Sequence, residues 1–446
     1  MKKLIILAAG KGTRMKTQLP KVMHQVANKP MLEHVIDNAH LEENMEVILV
    51  VGYGSEVVEA YFGDRVKYTY QTEQLGTGHA VMMAIDHIND EDEVIIACGD
   101  TPLISKEAFE ELANVKSKGY DAVVMTSVVD NPLGYGRIIK SRGLFQKIVE
   151  ERDATDDQRK IAEVNVGTYI IDGKVLKDAI KKIKNHNNQQ EYYLTDVFEI
   201  AAKEARVTTS VIDQESMLGV NSRLQQAQAE EILQKRINMC HMENGVTIKD
   251  PRSTYIDKDV IIEEDVIIFP NCHIRGNTKI GKNTVIRENT TIENSIIGEN
   301  STIQSSTITE SKIGNHTTVG PYAYLRPKSD VGNHCKIGDF VELKNARFGD
   351  GSKASHLSYI GDAIVGKNVN IGCGVVFVNY DGKNKFVSEV GDDSFIGSNS
   401  NLVAPVKLGE HSFVAAGSTI TDDVPAECLA IARGRQAIKE NWNKNK

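Results

Sequence analysis

Aromatic residues are scarce in this 446-residue chain, 6% in all with a single Trp, and only 10 prolines occur. Low proline beside 41% hydrophobic and 25% charged residues excludes a disordered chain and leaves enough apolar material for real cores. Positive charge is not in excess either: 52 basic against 61 acidic residues give a net charge of −9. That sign excludes a nucleic-acid binder working through its overall field, while local basic sites for small anions stay open. No Cys-x-x-Cys pair occurs among Cys98, Cys240, Cys272, Cys335, Cys373 and Cys428, so buried free thiols in a reducing compartment are expected. Long apolar runs are missing too. The opening stretch Leu4–Ala9 is only six residues long and is followed at once by Lys11 and Arg14. It reads as a buried first strand of a cytoplasmic protein, with no signal segment and no membrane span.

What is present differs between the two halves. Length alone predicts about three domains. Up to about residue 215, β-branched runs (Leu4–Ala8, Val47–Val51, Val94–Ala97, Ala122–Val124, Val166–Ile171) alternate with helical patterns such as Met31–Ala39 and Ala80–Ile85. Alternation of this kind predicts a mainly parallel sheet with helices on both faces, and ligands at the C-terminal strand ends. A polar, helix-favouring run follows, with Leu233, Ile237 and Cys240 on one face and an end near Gly245. The expected organisation is therefore 1–220, a linker helix over 221–245, and a second domain over 246–446.

The second domain is periodic. Ile256, Ile262, Ile268, Ile274, Ile280, Ile286 and Ile292 recur every six residues. The series resumes through Val319, Leu325, Val331, Ile337 and Leu343, and again from Val390 to Ile420. Neither a helix nor an ordinary strand has this period. A parallel β-helix does, because six residues make one side of a coil and the aliphatic side chain points inward. Gly and Asn fall where corners need unusual backbone angles. The interruption at Phe377–Glu389 is a candidate functional loop.

Chemistry-bearing residues cluster at four places. Leu7-Ala8-Ala9-Gly10-Lys11-Gly12-Thr13-Arg14-Met15 follows the first strand. It is not a Walker A loop, and Met15 stands where a dinucleotide fingerprint needs its third glycine. Its free N–H groups, with Lys11, Arg14 and Lys21, suit a phosphate, although an ordinary strand-to-helix turn has the same outline. Gln71–His79 is a polar, glycine-bearing turn suited to reading a base edge, and Gly99-Asp100 sets a carboxylate at a strand end. That carboxylate reads either as a Mg²⁺ ligand, which needs few protein groups beside substrate phosphates, or as a helix cap. In the periodic half, Arg326-Pro327, Phe340–Lys344 and His356–Tyr359 break the repeat with polar groups.

Leu-Ala-Ala-Gly-x-Gly-Thr-Arg-Met, Leu19-Pro20-Lys21, Gln74-Leu75-Gly76-Thr77 and Gly99-Asp100 resemble the sugar-1-phosphate nucleotidyltransferases. Gly134-Tyr135-Gly136-Arg137, Ile148-Val149-Glu150 and Gly219-Val220-Asn221 extend the match. With the periodic half, essentially the whole chain resembles the bacterial family that joins an N-acetylglucosamine-1-phosphate uridylyltransferase to a glucosamine-1-phosphate N-acetyltransferase. The resemblance implies an α/β Rossmann-like nucleotidyltransferase domain, a linker helix and a C-terminal left-handed parallel β-helix of hexapeptide repeats. It implies uridine-nucleotide contacts at Leu7, Ala8, Ala9, Gly10, Lys21, Gln71, Gly76, Thr77, Cys98 and Gly99. Asp100 and Asn221 would hold Mg²⁺, Gly136, Glu150 and Asn165 would face the sugar, and Arg14 and Lys21 would steady the leaving pyrophosphate.

For the second activity it implies His356 as base, with Glu342 as the orienting or amine-contacting carboxylate. Arg326, Lys344, Tyr359, Asn370 and Lys385 would bind glucosamine 1-phosphate. Acetyl-CoA would meet Cys373, Asn379, Tyr380, Ser398, Ala416 and Arg433, and a homotrimer is implied. The sequence departs from the family at Cys98 (often Tyr), Val166 (commonly Thr) and Cys373 (usually Ala). Two other readings compete, a single-activity nucleotidyltransferase with a passive β-helix and an inactive scaffold. The basic tail from Ile438 to Lys446 reads as a solvated terminus rather than a nucleic-acid arm.

Overall fold

The apolar run near the start of the chain becomes a strand, Lys2–Ala8, in the middle of a sheet. In the computed structural model, which describes residues 1–440 and Trp442, the strand order is 207–212, 122–128, 163–172, 93–98, 2–8, 46–51, 67–70. Strand Lys2–Ala8 pairs in parallel with Glu46–Val51 and Glu93–Cys98, burying Leu4, Ile5 and Ile6 completely. Runs apolar on both faces suit a parallel sheet covered by helices. The main sheet path is mainly parallel, as expected, with Glu163–Asp172 running antiparallel to both Glu93–Cys98 and Ala122–Val128. Its reversal follows a short hairpin, Arg137–Ser141 with Leu144–Val149, that carries the chain over the end of the sheet.

A 21-residue helix, Arg223–Glu243, follows, and the chain divides into its two compact units within it, at Leu233 and Gln234. The helix ends as the sequence suggested, before Gly245 at φ +90°. Its buried face differs from the expected one. Cys240 is exposed, whereas Asn238 is fully buried and donates to the carbonyls of Pro251 and Thr254, both at 2.9 Å. A polar residue takes the core position because two turn carbonyls there need a donor.

The second unit is a left-handed parallel β-helix with three sheets of 11, 10 and 9 short strands. One column of the inner face reads Ile256, Ile274, Ile292, Ile308, Leu325, Leu343 and Ile360, each in register with the next and fully buried. Burying one such side chain is worth roughly 2 kcal/mol, and stacking repeats the gain at every coil. Corners take left-handed backbone at Asn271, Asn283, Asn289, Asn294 and Asn300, where Asn tolerates the conformation best after Gly. Buried hydroxyls satisfy the corner carbonyls: Thr284 donates to Gly298 O at 2.8 Å and Ser301 to Gly314 O at 2.9 Å. The interrupting loop begins two residues later than the sequence break, because Phe377 keeps its core place opposite Leu402. Free thiols were expected to be buried. Cys272 and Cys335 are, but Cys240, Cys373 and Cys428 are exposed because helix and coil positions turn them outward. Of the tail, residues 441 and 443–446 lie outside the described residues.

Candidate functional sites

The turn after strand Lys2–Ala8 is folded so that basic side chains converge. Gly12 sits at φ +59°, and a Cβ there would come within 2.6 Å of Lys21 Cβ, so glycine lets Lys21 pass beneath the turn. Lys21 Nζ donates to Asp100 Oδ2 and, at 3.0 Å, to Asn221 Oδ1. Arg14 Nη2 reaches the same Asn221 oxygen at 3.0 Å. Met15 is buried and holds the turn on the core. Asp100 and Asn221, far apart in sequence, thus aim two hard oxygens at one cationic point.

A cavity of about 320 Å³ opens at the C-terminal strand ends. It is lined by Leu7, Ala8, Ala9, Gly10, Lys21, Gln71, Gly76, Thr77, Cys98 and Asp100 of the expected residues. Gln74 and Glu191 also line it, and Gln74 Nε2 donates to Ala9 O at 2.8 Å. Gln74 belongs to the Gln-Leu-Gly-Thr motif but was not singled out. Gly76 at φ +108° lets the turn pass close to the Tyr192 backbone before the helix Thr77–Ala84. Gly99 packs under the floor, its N–H on Leu7 O at 3.0 Å. A second cavity shares Cys98 and Asp100 and adds Arg14, Gly134, Tyr135, Val166, Gly219 and Asn221. Burial pushes the Cys98 thiol up to about 12, helped by the Asp100 charge, so this thiol is no nucleophile.

Gly136, Glu150 and Asn165 come together beside these cavities. A Cβ on Gly136 would lie 3.4 Å from Glu150 Oε2 and 3.5 Å from Asn165 Cβ. Burial raises the Glu150 carboxyl pKa, against the hydrogen bond it accepts from Thr195 at 3.0 Å. The donor set fits a hard divalent ion. Two oxygens already converge on an ammonium, and such an ion takes few protein ligands when phosphates supply the rest. Among the described residues no cluster of three or more His, Cys, Asp or Glu forms a closed metal cage.

In the β-helix, Arg326 Nη1 donates to Glu342 Oε1 at 2.9 Å. Lys344 Nζ lies 3.1 Å from Asp362 Oδ2, and Asn345 donates to Asp362 Oδ1 at 2.7 Å. Asn379 donates to the same Asp362 carboxylate and, at 3.5 Å, to the Tyr359 hydroxyl. Burial opposes ionisation of Asp362, but its Asn345, Lys344 and Asn379 partners hold its pKa below the usual range. Lys385 sits beside Lys344, whose charge pulls its pKa down. Arg326, Lys344, Tyr359, Asn379 and Lys385 therefore form one cationic patch. Asn370 is not part of it, since its strand pairs with Lys353 and Phe395 on another sheet. Tyr380 projects from the loop, its hydroxyl on Gly382 O at 2.7 Å.

The other cluster is a column at one corner. His356 Nδ1 lies 2.8 Å from Asp339 Oδ1, and the two residues are register partners. Glu342, expected as an orienting or amine-contacting carboxylate, lies on the adjoining sheet and accepts from Arg326. Gly374 N bonds Leu357 O, Asn399 N bonds Cys373 O and Gly417 N bonds Ser398 O, all within 2.7–2.8 Å. His356, Cys373, Ser398 and Ala416 thus stack on successive coils, and Arg433 donates to Ala416 O at 2.8 Å. Asp339 and Asp362 were missed. The sequence separation of 17 between Asp339 and His356, one coil, was the signal that could have found the first.

The family model of MobA-like NTP transferase domains matches residues 4–164. That of bacterial transferase hexapeptides (six repeats) matches 259–294, 310–345 and 388–422. A solved Bacillus anthracis structure in complex with a sucrose overlaps 52% of this chain and 95% of its own at 19% identity, with a TM-score of 0.44, too low to bear on the fold. The bifunctional protein GlmU of Clostridioides difficile strain 630 is 54% identical, covering 100% of this chain and 98% of its own. Those of Alkaliphilus oremlandii and Alkaliphilus metalliredigens are 53% and 51% identical, over 100% and 99% of this chain and 98% and 97% of theirs. Two converging sites, two matching domain families and near-complete coverage lead to one conclusion: the chain belongs to the bifunctional GlmU family.

Proposed function

We infer that the two clusters divide a two-step synthesis of UDP-N-acetylglucosamine. Acetyl-CoA first acetylates glucosamine 1-phosphate, and N-acetylglucosamine 1-phosphate then takes a uridylyl group from UTP, releasing pyrophosphate. Residues 1–220 carry the second step and 246–446 the first, joined by the helix over 221–245. The observation that carries this reading is that each unit holds its own set of converging charged groups, Arg14–Lys21–Asp100–Asn221 and Asp339–His356 with Arg326–Lys344–Lys385.

In uridylyl transfer the nucleotide lies against Leu7–Gly10, Gln71, Gly76, Thr77, Cys98 and Gly99, and Gly136, Glu150 and Asn165 face the sugar. The attacking phosphate oxygen is already ionised, so no base is needed and positioning with charge stabilisation suffices. Lys21 and Arg14 steady the leaving pyrophosphate. Mg²⁺ on Asp100 and Asn221 would supply further charge neutralisation at the phosphates.

In acetyl transfer, Arg326, Lys344, Tyr359 and Lys385 bind the sugar phosphate, while Asn370 stands on another sheet, apart from that patch. Cys373, Asn379, Tyr380, Ser398, Ala416 and Arg433 line the acetyl-CoA path. The amine nitrogen attacks the thioester carbonyl as His356 Nε2 takes its proton; the C–N bond forms and the C–S bond breaks, releasing the thiol of coenzyme A. Exposed Tyr322, Phe340 and Leu357 follow one another along one corner of the β-helix, which supports burial against further copies in a homotrimer. Among the described residues no helix is long and apolar enough to cross a membrane. We place the enzyme in the cytoplasm, where its six free thiols stay reduced.

The test incubates the full chain with glucosamine 1-phosphate, acetyl-CoA, UTP and a magnesium salt, following free thiol and pyrophosphate separately. Both products are expected, in that order; either one alone leaves a single-activity enzyme. His356→Ala should abolish thiol release and leave pyrophosphate release from N-acetylglucosamine 1-phosphate within a few-fold. Equal loss of both would assign His356 a structural role.

A further inference from the structure

Nine of the eleven strands in the sheet that carries His356 are two residues long. The exceptions are neighbours, Lys336–Asp339 and Lys353–His356, each of four residues. Their pairing continues past the usual corner and brings Asp339 into register with His356. The extension depends on Gly338, where any Cβ would run into the Ser355 carbonyl oxygen. The next residues on both coils, Phe340 at φ +58° and Leu357 at φ +37°, hold left-handed backbone that bulky side chains rarely adopt. Leu357 N nevertheless bonds Asp339 O at 2.8 Å, fixing the two corners together. Left-handed corners recur along this column, at Tyr322 and Asn399 as well; what sets this rung apart is the four-residue pairing that carries Asp339 into register with His356.

We propose that Asp339 is the positioning residue for His356 in acetyl transfer, an inference that rests on His356 being the base. The hydrogen bond to His356 keeps the Asp339 carboxyl pKa below its ordinary value. An ionised carboxylate can only accept, so the 2.8 Å bond requires the proton on His356 Nδ1. Neutral His356 then carries its lone pair on Nε2, the atom that takes the proton from the amine. When Nε2 is protonated, the imidazolium faces a carboxylate rather than water alone. Cys373, Ser398 and Ala416 follow His356 on successive coils of the same corner. Glu342, held by Arg326, is left to the sugar side.

The experiment compares wild type, Asp339→Ala, Asp339→Asn and His356→Ala as full-length proteins. It measures kcat and KM for thiol release, the rate of pyrophosphate release, and the ¹⁵N signals of the His356 ring. Asp339→Ala is expected to lower kcat for acetyl transfer about 10- to 100-fold, with both KM values within about threefold and pyrophosphate release unchanged. The ring signals should move from a pure Nδ1–H tautomer to a mixture. Asp339→Asn, whose side-chain oxygen can still accept from Nδ1–H, should recover part of kcat. Unchanged tautomer signals, or a kcat within twofold of wild type in Asp339→Ala, would overturn the proposal. So would parallel loss of both activities in Asp339→Asn, which marks a folding role. Retained acetyl transfer in His356→Ala would instead overturn the reading of His356 as base.

Discussion

Arg137, 1% exposed, sets its Nη2 2.7 Å from Glu151 Oε2, and that same oxygen accepts the Gly134 N–H at 3.1 Å. Arg137 also donates to Tyr135 O and, at 3.3 Å, to Arg159 O. One buried ion pair therefore fixes the loop 133–136, which walls the second cavity and holds Gly136 against Glu150. Glu151→Gln would leave a buried guanidinium without its counter-charge, at a cost of about 3 kcal/mol. The expected result is a lower denaturant midpoint for the first unit and a raised KM for N-acetylglucosamine 1-phosphate. The KM for UTP and thiol release should stay near wild type. A KM change confined to UTP would show that the loop serves the nucleotide instead.

Asp196 behaves in the opposite sense. Burial, with Glu199 and Asp153 nearby, pushes its carboxyl up to about 6. An acid whose folded-state pKa is raised holds its proton longer when folded than when unfolded. Stability is then fullest below about pH 4, where both states are protonated, and is lost as pH rises toward 6. Asp196→Asn should therefore raise the urea midpoint at pH 8 and leave it unchanged at pH 4. Equal shifts at both pH values would mean that packing, not charge, is responsible.

The parts of the fold that read clearly from the sequence are those governed by period. Leu4–Ala8, Val47–Val51 and the six-residue Ile series became core strands because burial alone decides their facing. The antiparallel strand Glu163–Asp172 did not read, since its apolar run has no direction. Asn238 was hidden because a helix face is normally read from apolar residues, and here two turn carbonyls recruit an amide. At the first site, the motifs named Lys21, Asp100 and Asn221, and the structure brings the three side chains into hydrogen-bond contact. The resemblance implied Glu342 as an orienting or amine-contacting carboxylate; the contact between Asp339 and His356 was not read, because neighbours in a β-helix are one coil apart in sequence.

The Lys21–Asp100–Asn221 contact makes a metal-dependent asymmetry measurable. If Asp100 and Asn221 hold the ion, chelation with EDTA should stop pyrophosphate release and leave thiol release intact, since Asp339, the carboxylate of the His356 column, is engaged by the imidazole. Asp100→Ala should reproduce that pattern without chelator, and added magnesium should not restore it. Lys21→Ala should also lose pyrophosphate release while still binding the ion, which separates leaving-group stabilisation from metal binding. Loss of thiol release on chelation would reject this division.

Gly338→Ala probes the register directly. The added methyl meets the Ser355 carbonyl oxygen, a backbone atom that cannot swing aside like a side chain. Relief requires the coil carrying Asp339 to shift away from the coil carrying His356, lengthening their 2.8 Å bond. The inner residues Ile337 and Ala354 are fully buried on the same strands, so the core resists a larger slip. The strain should then appear as a loss of kcat for acetyl transfer larger than the loss of stability would explain. At 25 °C the variant should remain folded, with pyrophosphate release near wild type and thiol release reduced about tenfold or more. A variant folded and fully active in both steps would show that the tight rung at Gly338 has no part in placing the base.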